Sequence, residues 1–254
     1  IDLYAHRFID PVFRSFQAEL EVVYEEKNMY ADQFQGKLLE EFQSHLFKNH
    51  PYGQQPLIGT IEHLKNPSLK RMLEFYKNYY VANNMALVIS GDFNIEEIAP
   101  VIEEKFGALP SGQIPETHIM VEEPFAGREF HQAKLTPIKI GLLGFRTVTS
   151  DHPDYVPLEM ALKVLNNRYQ TGLLDKLSLD GKVLGAQMLT LPYHDHGAAI
   201  ALFIPKIVGQ KLEAAEKLIM DELAKLRNGE FDEWVVDAVK NETYVSFTRD
   251  LENI

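Results

Sequence analysis

Apolar residues recur at helical spacing through most of the first half of the chain. From Arg14 to Tyr30, the residues Phe16, Leu20, Val23 and Tyr24 fall on one side, and from Phe34 to Phe47 the pattern returns with Leu38, Leu39, Phe42 and Leu46. This spacing predicts two consecutive amphipathic helices. A turn-rich stretch, His50 to Gly59, precedes a further helix that begins near Pro67, where proline suits a first turn, and ends near Tyr80. Met85–Ser90 is almost wholly apolar between Asn84 and Gly91, which predicts a strand at a sheet centre. Ile95 to Phe106 reads as helix again.

Between Gly107 and Gly127 the pattern lapses. Pro110, Pro115 and Pro124 punctuate it without a sustained apolar period, so residues 110–125 are predicted to link two domains, 1–109 and 126–254. Beyond the linker the pattern predicts strands Arg128–Leu135 and Ile138–Phe145, helices Tyr155–Leu165 and Leu173–Leu179, then strands Val183–Leu191 and Ala198–Ile204. Two long helices close the chain. Lys211–Arg227 aligns Leu212, Ala215, Ile219, Leu223 and Leu226 and stops at Asn228-Gly229, and a second helix from Asp232 to about Asp250 is expected to bury Trp234, Val235, Ala238 and Val245. Strands grouped with pairs of helices predict an α+β fold, with helices on one face of a mainly antiparallel sheet. The first domain offers four or five helices and a single strand, so further strands are expected from residues preceding Ile1.

Composition narrows the function. At 254 residues and 45% hydrophobic side chains the chain is long enough for two ordinary domains with real cores. A formal charge of -12, spread over both halves (10 basic and 16 acidic residues in 1–109), argues against nucleic acid as a partner. No apolar run reaches the roughly 18 residues of a membrane-spanning helix, so a membrane-embedded protein is not expected. The absence of cysteine excludes disulfides, thiolate zinc sites and a cysteine nucleophile. Opening at Ile1, the chain has the look of a processed or excised segment.

Glu19 and Glu26 stand seven residues apart on the first long helix, two turns less 20°, so both carboxylates point the same way. Their face is shared with Val22, Val23 and Tyr30. A cation would offset the cost of ionised groups beside apolar ones. An acid-rich helix face turned to solvent, with Glu21 and Glu25 also present, accounts for the same pattern. Other combinations read more plainly. His194-Asp195-His196 lacks a third donor nearby and reads as a polar strand end; His50-Pro51-Tyr52-Gly53 reads as a turn that positions helices; Arg146 reads as a surface salt bridge; and Ser150-Asp151-His152 lacks the context of a nucleophile elbow.

The run Glu19-Leu20-Glu21-Val22-Val23-Tyr24-Glu25-Glu26, followed by His50-Pro51-Tyr52-Gly53, Gly59, Asn84-Met85 and Gly91-Asp92, resembles the insulinase/pitrilysin family of zinc metallopeptidases, the inverzincins. In that family an H-x-x-E-H helix supplies two zinc-binding histidines and a water-activating Glu, and a downstream Glu is the third ligand. The resemblance implies that Glu26 is that ligand and that Glu19 supports the site. It also places H-x-x-E-H roughly 70–80 residues before Glu26, off this chain, and none of the nine histidines forms the motif. One carboxylate is not a three-ligand catalytic site, so this segment alone is expected to be inactive and not to retain zinc.

Residues 126–254 resemble the second, motif-free domain of the same family, through Asp154-Tyr155, Leu165-Asn166-Asn167 and Thr171-Gly172-Leu173-Leu174. The implied whole is a zinc metalloendopeptidase acting on peptides or unfolded polypeptide, in contact with further peptidase-like domains or a homologous subunit. The periplasm is the expected compartment, with the cytoplasm as the alternative. The rival reading is a non-catalytic homologue that binds or scaffolds an active partner.

Overall fold

The computed structural model describes residues 1–252 and divides into two compact units: residues 1–37 with 49–121, and residues 38–48 with those from 122 onward. The first unit is helical throughout its described elements. It holds α1 (Asp2–Ile9), α2 (Phe16–Asp32), the first turn of α3 (Phe34–Leu46), then α4 (Pro51–Gln54), α5 (Ile61–Lys65), α6 (Leu69–Tyr79) and α7 (Ile95–Phe106). Side chains set the starts of several. Thr60 accepts from the His63 amide at α5, Ser68 from the Arg71 amide at α6 and Asn94 from the Glu96 amide at α7, each satisfying a donor the helix cannot reach.

Helix α1 packs on α7, with Lys105 Nζ 3.2 Å from Asp2, and an aromatic group fastens it to α6. The Phe8 ring stacks on Tyr80 at 6.1 Å, Phe13 meets Tyr76 edge-on at 6.4 Å, and the Tyr76 hydroxyl donates to the Phe8 carbonyl at 2.5 Å. Burial pushes that phenol's pKa up, with a smaller contribution from Tyr80. Past α6, Asn83 mimics a backbone ladder by exchanging two 2.9 Å hydrogen bonds with Gly112.

Two expected strands do not form. Met85–Ser90 lies outside any described sheet, with Leu87 and Val88 exposed, and 128–135 is irregular, with Phe130 exposed. A strand exists only through its ladder, and among the described residues neither run has a partner to complete one.

The second unit is α+β. Its elements are β1 (Gly141–Thr147), α8 (Tyr155–Leu165), α9 (Leu173–Leu179), β2 (Gly185–Leu191), β3 (Gly197–Ile204), α10 (Leu212–Asn228) and α11 (Glu233–Glu252). The sheet is antiparallel in the order β1-β3-β2, with Gly141 opposite Phe203 and Gly185 opposite Ile204. The central strand β3 is the most apolar and the most buried, as its position requires. Helices α8, α9 and α10 cover the face bearing Ala201 and Phe203, closing a core of Leu165, Leu174, Leu177, Val183 and Ile219. On the opposite face the second half of α3 lays Phe42 directly over Gly144, where a Cβ would collide with the ring.

Helix α10 ends at Gly229 in the left-handed conformation, φ 71°, as Asn228-Gly229 predicts. Helix α11 departs from expectation by one step of its period. Val235 and Val239 are buried, whereas Trp234 and Val245 are exposed. The i, i+4 pair faces α8, where Lys163 donates to Thr243 at 3.0 Å, and that contact sets the rotation of the helix.

Candidate functional site

Glu19 and Glu26 lie on α2, both exposed, on the same side of a helix that buries none of its residues. The expected tension between carboxylates and an apolar stripe is slight, because Val22 and Tyr30 are themselves open to solvent and Val23 is only half-buried. Helix α5 packs against α2 but brings no imidazole into a ligand set: among the described residues no three His, Cys, Asp or Glu side chains are placed to hold one ion. A zinc site needs three protein donors around the metal, and this chain provides carboxylates alone at that position. The residues present do not by themselves fit zinc.

The other sequence candidates resolve into structural roles. His50 is buried and caps α4, its Nδ1 accepting from the Tyr52 amide at 3.2 Å. Thr149 donates to Asp151 at 2.6 Å and the Asp154 amide donates to His152 at 3.1 Å, so the 149–154 stretch is a hydrogen-bonded turn leading into α8. The bond from Thr149 holds the Asp151 carboxyl below its ordinary range. His194 pairs with Asp195 at 2.8 Å, which raises its pKa, while the His196 ring lies 6.0 Å from that of Phe47.

Arg146 is more than a surface ion pair. Its guanidinium meets the buried Glu122 carboxylate at 2.9 Å and donates to the carbonyls of Leu46 at 2.7 Å and Glu123 at 2.6 Å. The Phe125 ring covers its flat face at 4.2 Å. The planar five-donor fork lets one side chain bind three segments of the second unit together. Arg146 lies within β1, just past the strand end predicted at Phe145, and its local sequence carries no signal of this role, because all its partners are distant in sequence.

A second group also escapes sequence reading. The rings of His45 and His131 stack at 3.7 Å with 11° between their planes. Each presents Nε2 to a carboxylate at 3.2 Å, Glu41 for His45 and Glu129 for His131, and Lys48 closes on Glu129 at 2.5 Å. The Glu129 carboxyl is held below its usual range, first by Lys48 and then by His131. Tyr155 at the start of α8 donates to Glu159 at 2.7 Å, and burial, then that bond, push the phenol up to about 12.

Comparison with known proteins places this architecture. Residues 67–243, more than half of the chain, match the family described as the peptidase M16 inactive domain. The zinc protease PqqE of Helicobacter pylori is 27% identical over 248 residues, covering 94% of this chain and 54% of that protein, so the chain spans about half the relative's length. The crystal structure of a protease from Helicobacter pylori superposes with a TM-score of 0.77 at 24% identity, over 99% of this chain and 62% of that one. The periplasmic protease PqqL from Escherichia coli gives 0.74 at 17% identity, over 98% and 28% respectively. The helices and small antiparallel sheet described above are the fold these structures share, and the matched residues take in all three strands. The landmarks from Glu19 to Thr171-Gly172 and the match over residues 67–243 agree: the chain belongs to the M16, or insulinase/pitrilysin, family of peptidases.

Proposed function

We propose that the chain is a working part of a zinc-dependent metalloendopeptidase. Glu26 serves as one zinc ligand, Glu19 supports it by hydrogen bonding, and the histidine ligands and general base come from residues outside these 254. The observation that carries the reading is the same-face, solvent-open placement of Glu19 and Glu26 on α2, which leaves both carboxylates accessible to an ion. The zinc-protease name of the Helicobacter relative supports it. Residues 126–254 act as the motif-free domain after a linker at 110–125 and hold peptide rather than cleave it. Extended peptides can add to an exposed strand such as β1, which lies at an edge of the described sheet. The periplasm is the proposed compartment, on the precedent of the Escherichia coli protein.

The test is zinc content and peptide hydrolysis measured on the longest natural form of the protein. Glu26→Gln is expected to lower bound zinc at least about tenfold, the range seen when a metal site loses a supporting group, and to abolish hydrolysis. Unchanged zinc would remove Glu26 from the ligand set. A second reading, a non-catalytic scaffold for an active subunit, is favoured by the family's description as an inactive domain. It predicts a natural form without zinc that raises the activity of a partner peptidase.

A further inference from the structure

The antiparallel register gathers the N-terminal ends of β1 and β2 and the C-terminal end of β3 at one end of the sheet. Three connections meet there: 136–140 leading into β1, 180–184 leading into β2, and 205–211 running from β3 to α10. Each exposes aliphatic side chains, with Ile138 45%, Leu184 54%, Ile207 80% and Val208 85% accessible. The same three connections carry the exposed lysines Lys139, Lys182, Lys206 and Lys211. Their one acidic residue, Asp180, lies 3.6 Å from Lys182, and Glu213 follows in the first turn of α10. In a chain of charge -12 this end is locally basic.

The most exposed pair sits on a braced tip. Gln210 accepts from the Lys206 amide at 2.7 Å and donates to the Lys182 carbonyl at 2.9 Å, so one side chain ties two of the connections together. Pro205 is buried, and Gly209 at φ +81° takes the left-handed conformation that turns the chain back toward α10. Ile207 and Val208 therefore project from a held loop. A protruding aliphatic pair at an end that carries four exposed lysines suits an interface where apolar groups meet acyl chains while lysines reach anionic headgroups. A folded partner would need a groove cut to this tip, whereas a lipid surface conforms to it. Repulsion from the protein's distant acidic groups is screened beyond about 10 Å, while the lysines act at contact.

We propose that this end of the sheet docks the protein peripherally on an anionic lipid surface. The test is co-sedimentation of the 254-residue chain with vesicles of phosphatidylglycerol and phosphatidylcholine in equal parts, and of phosphatidylcholine alone. Binding to the anionic vesicles only, weakening with salt, is expected. The double variants Ile207→Ser with Val208→Ser, and Lys206→Glu with Lys211→Glu, are each expected to weaken it about tenfold or more with unchanged circular dichroism, since all four side chains are exposed. Failure to bind the anionic vesicles overturns the proposal, as does binding that ignores both double variants. Loop-dependent binding to polyglutamate without binding to vesicles would assign the surface to an acidic polypeptide and overturn it equally.

Discussion

Asp175 holds the turn between α8 and α9 together. Its carboxylate, 6% exposed, accepts from the Asn166 side chain, from the Asn167 amide at 3.1 Å and from the Gly172 amide at 2.9 Å. Asn167 in turn accepts from the amides of Tyr169 at 3.1 Å and Thr171 at 3.3 Å. Asp175→Ala would strand several buried donors at once, and a loss of about 2–4 kcal/mol is expected, read as a lowered thermal midpoint. An unchanged midpoint would show that water replaces the carboxylate freely. Asn166-Asn167 and Thr171-Gly172 are recognisable in the sequence as landmarks, but Asp175 is not, because acidic residues are mostly exposed. Tyr155 gives a prediction in pH. Its phenol is raised from 10.0 to about 12 in the folded chain, so its contribution is complete below pH 10 and lost as pH rises through about 12. Thermal melts of Tyr155→Phe should differ from the parent by a constant amount up to pH 10, about 1 kcal/mol, and the parent should lose ground against the variant as pH rises from 10 to 12. A parent that gains on the variant with alkalinity would reverse the assignment.

At the scale of elements, the second half of α3 and strand β1 are matched by a missing side chain. Phe42 lies against Gly144, so Gly144→Val would force ring and strand apart, an overpacking expected to cost about 1–3 kcal/mol in urea unfolding. Full stability in that variant would mean that α3 yields at no cost. Near the end of the same helix, Lys48 sets the ionisation of Glu129 more than His131 does. Lys48→Met should therefore raise the Glu129 pKa toward its ordinary value, as followed by carbon NMR of the carboxyl, and a stationary value would put His131 in control. Helix periods were legible at this scale. Tyr155–Leu165, Leu173–Leu179 and Ile95–Phe106 run as the pattern predicts, because helical hydrogen bonds close within the segment itself. The apolar pattern of the runs 85–90 and 128–135 predicts strands, but a strand depends on a neighbour that a local pattern cannot supply.

At the scale of the whole molecule the two units differ in what they bury. The second holds a continuous core of leucines, Val183, Phe203 and Ile219, whereas the buried hydrophobic side chains described in the first are Ala5 and Val81. Amide exchange should therefore be slow at Leu174, Ile200 and Ile219 and fast through α2 and α6. Equal protection in both units would contradict this. The sequence by itself determined the α+β class, the boundaries of the longer helices within a few residues though not the helices α1, α4 and α5, the family, and the same-face placement of Glu19 and Glu26, all of which rest on local period or on motif order. Tertiary structure alone decided which apolar runs become strands, how α11 is rotated, the pairing of His45 with His131, and the fastening of Arg146 to Glu122, Leu46 and Glu123. The physical reason is range. A helix satisfies its own backbone, whereas ladders, side-chain hydrogen bonds and ring contacts join residues as far apart as 150 positions, and folding alone brings these together.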